Sequence, residues 1–138
     1  MKAHAGPHRA PGGFVPPEVT YSVRQKTWML TEPWWCRMDS RVIRIPAGFC
    51  FDLASIPRPL WWLLAPNELG IAASAAHDWL YQHGGKITDP LPCWFTRAEA
   101  DLLLRLLADN DGVWWWRRWS AWLAVRVFGI LAWRSAKR

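Results

Sequence analysis

The chain has 138 residues, of which 51% are hydrophobic, and it carries a formal net charge of +6. This length is typical of one domain with a buried core, and the composition excludes a disordered chain. The basic residues form no run typical of a nucleic-acid-binding arm, so we do not expect binding to DNA or RNA. The 13 tryptophans favour a broad aromatic core, a protein contact or a membrane interface.

Residues 1–17 are rich in proline and glycine, and we expect them to form a flexible arm outside a single domain of residues 18–138. Such an arm can also reach a neighbouring subunit in an assembly. The segment has no apolar stretch typical of a signal peptide, so we expect the protein to be made in a cytoplasm.

The segment from Val19 to Phe51 alternates apolar and polar residues in short runs, which predicts a small antiparallel sheet of three or four strands. Pro46 and Gly48 end the last of these strands, so Asp52 is expected at the edge of the sheet. Asp52 and Ser55 lie at a bend flanked by proline, a usual position for functional side chains.

Three main helices are predicted after this bend, so the expected fold class is α+β. An alanine-rich run from Asn67 to Tyr81 predicts a buried helix that ends at Gly84-Gly85. A second helix is predicted from Arg97 to Ala108, with Thr96 and Glu99 as its capping box. The third helix is predicted from about Val113 to Trp133.

The apolar length of the third predicted helix approaches that of a membrane span. Arg117, Arg118 and Arg126 fall inside it, so we expect no transmembrane span. These arginines are spread around the helix, which favours packing against the domain or a partner over an interfacial helix. Peripheral contact with a membrane stays open as an alternative.

One group of polar residues interrupts the apolar background. His77 and Asp78 are adjacent on the first predicted helix, and Tyr81 follows one turn later. Asp101 on the second predicted helix can meet the face that bears His77, because neighbouring helices pack roughly 8–10 Å apart. This pattern predicts that Asp101 orients His77 as a general base, with Tyr81 beside them.

Two further roles and one alternative belong to this prediction. Asp52 and Asp78 are the candidate ligands of a divalent metal, Ca²⁺ or Zn²⁺. Ser55 is a candidate nucleophile with His77 as its base. Without catalysis, the same residues form a buried polar network in which Asp52 caps a turn and Arg97 neutralises a carboxylate.

Four sequence blocks occur in order over roughly residues 25–133: Gly48–Asp52 with Ala54–Arg58, Ala76–Tyr81, Arg97 with Ala100-Asp101, and Val125-Arg126 with Phe128-Gly129. Together they resemble the phage and prophage family catalogued as domain of unknown function 1353. The resemblance implies a bacteriophage or prophage protein that is made in the host bacterial cytoplasm and can be incorporated into a virion. It implies no established activity.

A second resemblance concerns chemistry. The run His77-Asp78-x-x-Tyr81, followed by Ala100-Asp101, is similar to the dyad region of phospholipases of the A2 type. It implies that His77 is the base for a water, that Asp78 binds calcium and that Asp101 orients His77, with Tyr81 in support. The chain departs from that family because it lacks the glycine-rich calcium loop and the disulfides.

Two functions follow from these observations. The first is a hydrolase, metal-assisted, that acts on lipid or another ester or amide of the cell envelope. The second is a non-catalytic virion component, such as a tail or baseplate subunit, that assembles through its tryptophan-rich surface and N-terminal arm. Catalysis predicts that His77 and Asp52 meet at an open pocket. Assembly predicts a sealed polar cluster and a contiguous patch of exposed tryptophans.

Overall fold

A computed structural model describes residues 3–5, 17–25, 27–38, 41–51, 71–88, 91–110 and 114–136. Within these ranges the strands are β1 (Ala3–Ala5), β2 (Val19–Ser22), β3 (Thr27–Leu30), β4 (Trp34–Met38), β5 (Arg41–Ile45), β6 (Cys50–Phe51), β7 (Lys86–Ile87) and β8 (Cys93–Trp94). The helices are α1 (Ile71–Gln82), α2 (Arg97–Asn110), α3 (Trp115–Phe128) and α4 (Ile130–Ala136). The predicted α+β class, with N-terminal antiparallel strands before three main helices, is confirmed, and α4 is an additional short helix.

The described strands divide between two three-stranded antiparallel sheets, ordered β1–β4–β5 and β2–β3–β6, and the two-stranded pair β7–β8. The sequence predicted one small sheet. Pro33 lies between β3 and β4 and has no N–H to donate. The hydrogen-bond ladder of β3 therefore cannot continue through Pro33 into β4. In β4 the side chains of Trp34, Cys36 and Met38 are buried, as the period of two requires for a strand with one face on the core.

Gly48 makes the turn by which the chain passes from β5 to β6. Its φ of +87° is a conformation that glycine adopts without steric cost. Its N–H donates to the carbonyl oxygen of Leu30 at 2.7 Å, and the N–H of Leu30 donates to the carbonyl oxygen of Phe49 at 3.0 Å. These bonds place β6 beside β3, and β6 also lies against α1.

β1 comes from the segment that was expected as a flexible arm. Residues 3–5 pair antiparallel with β4, with Ala3 opposite Met38. β4 therefore has a partner on each side, which satisfies backbone groups on both of its edges. Residues 6–16 lie outside the described ranges, and so do Asp52 and Ser55.

The helices pack in sequence, α1 on α2 and α2 on α3. Ala72, Ala73, Ala75 and Ala76 of α1 are at most 1% exposed, because their small side chains let the helix lie deep in the core. The predicted stop at Gly84-Gly85 is present: the N–H of Gly85 donates to the carbonyl oxygen of Leu80 at 2.9 Å. Residues 67–70, expected in this helix, lie outside the described ranges.

The prediction of one continuous helix from Val113 to Trp133 was wrong, since the structure has a break between α3 and α4 at Gly129. A Cβ atom at Gly129 would lie 2.7 Å from the hydroxyl oxygen of Tyr81. Glycine at this position thus leaves room for the tyrosine ring, and it also has a low helix propensity. Among the described residues, no helix is long and apolar enough to cross a membrane.

The capping box at the start of α2 forms as the sequence predicted. The N–H of Thr96 donates to Oε1 of Glu99 at 3.3 Å, and the N–H of Glu99 donates to Oγ1 of Thr96 at 3.2 Å. Glu99 also forms an ion pair with Arg41 of β5, so the helix start is tied to the sheet. Partial burial raises the pKa of Glu99, but the bonds from Arg41 and Thr96 outweigh it and hold that pKa below its usual range.

Replacing Glu99 with glutamine is expected to lower the free energy of unfolding by about 0.5–1 kcal/mol at neutral pH. Because the folded-state pKa is lowered, this contribution is present above the ordinary value of 4.5 and is lost as the pH falls through the folded-state pKa. Urea unfolding of both proteins at several pH values measures it. A difference that stays constant down to pH values below the folded-state pKa would contradict the role of the ionised carboxylate.

Candidate functional site

The centre of the site is the carboxylate of Asp101 in α2, whose side chain is 0% exposed. Oδ1 of Asp101 accepts a hydrogen bond from the hydroxyl of Tyr81 at 2.6 Å and lies 2.9 Å from Nε2 of His77. Oδ2 accepts a hydrogen bond from Nη1 of Arg126 at 3.0 Å and lies 3.7 Å from Nη1 of Arg97. We call these five residues the Asp101 cluster. They come from α1, α2 and α3.

The two arginines supply the positive charge that a buried carboxylate requires. Arg97 is itself fixed, because Nη1 and Nη2 donate to the carbonyl oxygens of Val125 and Arg126, each at 3.0 Å. These carbonyls lie in the last turn of α3, and that of Val125 also accepts the N–H of Gly129 at 2.9 Å. Arg97 therefore ties α2 to the end of α3 and holds Arg126 beside Asp101.

The hydrogen bond to Asp101 decides which nitrogen of His77 carries the proton. An ionised carboxylate only accepts hydrogen bonds, so Nε2 of His77 is the donor. In the neutral ring Nδ1 then has a free lone pair. Nδ1 is buried, and within the described residues it has no hydrogen-bond partner. A buried acceptor of this kind is the atom of the cluster that can take a proton from a water.

Tyr81 supports the arrangement as a hydrogen-bond donor. Its ring centroid lies 4.1 Å from that of His77 and 5.2 Å from that of Trp133. Burial raises the pKa of Tyr81, and the hydrogen bond to Asp101 and the negative charge of that residue raise it further. The phenol thus stays protonated at neutral pH and cannot serve as a general base.

The expected metal ligands are placed only in part. Asp78 is buried, with 7% of its surface exposed, and it lies beside His77 in α1. Over the described ranges, no three His, Cys, Asp or Glu side chains form a group that could hold a metal ion. Ca²⁺ takes about 6–8 oxygen ligands, so a calcium site at Asp78 would need ligands beyond the carboxylates of these residues. Asp52, its expected partner, and Ser55, the candidate nucleophile, are not among them.

The last described residues before Asp52 pack against α1. The ring of Phe49 meets the indole of Trp79 edge-on, with centroids 5.0 Å apart. Phe51, which ends β6, is 2% exposed. The chain therefore enters residue 52 from a strand that is fixed on the helix bearing His77 and Asp78.

Of the sequence-predicted site residues, His77, Tyr81 and Asp101 are brought together by the structure. The sequence interpretation missed Arg126, which it treated as a charge on the last helix. The pairing joins residues 25 positions apart on different helices, so no local spacing points to it. Its place in the block Val125-Arg126 was the one feature that set it apart.

Comparison with known proteins places the chain in a family. Residues 28–125 match the model of the family DUF1353, described as "Protein of unknown function". The matched range contains His77, Tyr81, Arg97 and Asp101 and ends one residue before Arg126. No curated protein and no solved structure matches the chain.

Proposed function

We propose that this chain, which belongs to the family of unknown function DUF1353, is a hydrolase in which Nδ1 of His77 activates a water molecule. One observation carries the proposal: Nε2 of His77 is bound to Asp101 at 2.9 Å, while Nδ1 has no partner among the described residues. An imidazole held by a carboxylate at one nitrogen, with the other nitrogen unprotonated, is the form of histidine that serves as a general base.

The reaction would be the hydrolysis of an ester or amide. Nδ1 takes a proton from water while the water oxygen attacks the carbonyl carbon, and the electron pair of the carbonyl moves to its oxygen. The tetrahedral intermediate then expels the alcohol or amine, which receives the proton from Nδ1. Arg97 and Arg126 neutralise the negative charge of Asp101. The main contribution of Asp101 to the reaction is therefore to fix the tautomer and orientation of His77.

The resemblance to the phospholipase dyad supports a lipid or another cell-envelope ester as substrate. Three of the four positions on which this resemblance rests are in contact, since His77 and Tyr81 both lie within hydrogen-bond distance of Oδ1 of Asp101. Assistance by Ca²⁺ or Zn²⁺, through Asp78 and Asp52, stays a prediction, and so does a bacteriophage or prophage origin.

The test is hydrolysis of fluorogenic esters, of chromogenic amides and of phospholipid vesicles by the purified chain, with and without Ca²⁺ or Zn²⁺. His77→Ala is expected to lower the rate about 10²–10⁴-fold, because the general base is lost. His83→Ala is the matched control, since His83 is exposed and its Nδ1 bonds the carbonyl oxygen of Trp79 at 2.8 Å. The proposal would be contradicted if His77→Ala and the wild type had equal activity. It would also be contradicted if the wild type hydrolysed none of the three substrate classes.

A second function is favoured by the burial of the cluster. His77 and Asp101 are both 0% exposed, whereas catalysis requires a path for water to Nδ1. A non-catalytic virion component, such as a tail or baseplate subunit, would use the Asp101 cluster only to hold three helices together. In that case His77→Ala lowers the free energy of unfolding, and the wild-type chain hydrolyses no substrate.

A further inference from the structure

The C-terminal segment differs in charge from the rest of the chain. Residues 114–138 contain no Asp or Glu and six basic residues, which are Arg117, Arg118, Arg126, Arg134, Lys137 and Arg138. The other 11 of the 17 Lys and Arg residues are balanced by the 11 Asp and Glu residues of positions 1–113. The whole formal net charge of +6 therefore belongs to the segment that contains α3 and α4.

α3 presents a row of large apolar side chains to solvent. We call this row the α3 face. Its members are Trp115 (64% exposed), Trp116 (39%), Trp119 (45%), Leu123 (57%) and Val127 (56%). From Trp116 onward they recur at steps of three or four residues, which keeps them on one side of the helix. The opposite side, with Ala121, Ala124 and Val125, is buried.

The arginines of α3 do not interrupt this face. Arg118 forms an ion pair with Asp109 of α2 at 3.0 Å, and Arg126 is bound to Asp101. The sequence had indicated that the arginines are spread around α3. In the structure two of them are directed to carboxylates of α2, so the charged groups are better separated from the exposed apolar side chains than expected.

Guanidinium groups also lie over two of the three indoles of the face. The guanidinium carbon of Arg117 is 4.9 Å from the ring centroid of Trp116, and that of Arg105 is 4.1 Å from the ring centroid of Trp119. The α3 face therefore combines exposed indoles with adjacent positive charge.

We propose that the α3 face binds the surface of an anionic phospholipid bilayer. Tryptophan is favoured at the headgroup level, where an apolar ring with one polar N–H has contacts of both kinds. The aliphatic members of the face can enter the boundary of the acyl chains. α3 has 14 residues. A helix of that size is about 21 Å long, short of the roughly 30 Å hydrocarbon core, so it lies along the surface.

The positive charge of residues 114–138 favours an anionic bilayer as the partner of the α3 face. The segment has six basic residues and no Asp or Glu, and two of them, Arg118 and Arg126, are paired with carboxylates of α2. The guanidinium groups of Arg117 and Arg105, which lie on indoles of the face, attract the anionic headgroups of one leaflet. A second copy of the chain at the same face would instead bring two segments of equal positive charge together, which is electrostatically unfavourable. The proposal does not depend on the hydrolase, because none of the five residues of the α3 face belongs to the Asp101 cluster.

The test is co-sedimentation of the full chain with vesicles of phosphatidylcholine, with or without phosphatidylglycerol. Binding is expected only to the mixed vesicles, and added salt should weaken it. Trp115→Ala is expected to lower the partition coefficient about tenfold, because an indole is lost from the interface. Trp94→Ala is the matched control: Trp94 is also 64% exposed but lies in β8, outside the face.

His77→Ala should bind the mixed vesicles as wild type does, which separates this proposal from the hydrolase. Equal binding of Trp115→Ala and wild type would overturn the proposal, as would equal binding to both vesicle types or to neither. Light scattering coupled to size exclusion gives the remaining outcome. A dimer that Trp115→Ala dissociates would assign the face to a second copy and overturn the bilayer proposal.

Discussion

Replacing Asp101 with alanine is expected to lower the free energy of unfolding by about 3–5 kcal/mol. The substitution removes the carboxylate that the other four residues of the Asp101 cluster surround. Arg126 loses its 3.0 Å bond to Oδ2. The stability of a domain is only about 5–15 kcal/mol, so the loss is a large part of it. Asp101→Asn, which keeps the shape of the side chain, is the milder variant if the alanine variant does not fold.

Asp109→Ala is the matched control for this prediction. Asp109 lies on the same helix and also pairs with an arginine of α3, Arg118, at 3.0 Å, but its side chain is 60% exposed. A solvent-exposed pair of this kind contributes about 0–1 kcal/mol. Urea unfolding of the wild type and the variants measures the difference. Similar losses for Asp101→Ala and Asp109→Ala would show that the cluster does not stabilise the fold.

Replacing Gly85 with alanine is expected to lower the free energy of unfolding by about 2–5 kcal/mol. Gly85 has a φ of +82°, which strains any residue with a Cβ atom. An added Cβ would also overlap the carbonyl oxygen of Phe95 and lie 2.8 Å from Cη2 of Trp133. Both neighbours are buried, so neither can move away without disturbing the core beside Tyr81.

Gly48→Ala separates the two causes. Its φ is +87°, but an added Cβ would have nothing within 4 Å. Only the backbone strain applies there, about 1–2 kcal/mol. The excess loss in Gly85→Ala, measured by urea or thermal unfolding, is the cost of the steric overlap. Equal losses at the two positions would contradict a close approach of Phe95 and Trp133 to Gly85.

The parts of the fold that the sequence predicted are those set by local interactions. The capping box of Thr96 and Glu99 depends on residues three positions apart, and the stop at Gly84-Gly85 depends on glycine itself. The contact between His77 and Asp101 could be predicted because the two residues lie on consecutive helices. Neighbouring helices pack closely enough for polar side chains on their facing sides to form hydrogen bonds.

The features that the sequence did not predict depend on tertiary packing. The break at Gly129 accompanies the approach of Tyr81, and Arg126 pairs with Asp101 only because α2 lies against α3. The exposure of the α3 face likewise depends on which side of that helix packs on the domain. A helix that is apolar on both sides gives no periodic pattern from which its buried side can be chosen.

The measurement that tests the proposed general base most directly is the tautomer of each histidine, from long-range ¹H–¹⁵N NMR correlations at a pH where the rings are neutral. His77 is expected to be protonated at Nε2, which donates to Asp101, with Nδ1 unprotonated. His83 is an internal control with the opposite tautomer, since its Nδ1 donates to the carbonyl oxygen of Trp79. His77→Ala assigns the resonances. Finding the proton of His77 on Nδ1 would contradict both the orienting role of Asp101 and the general base at Nδ1.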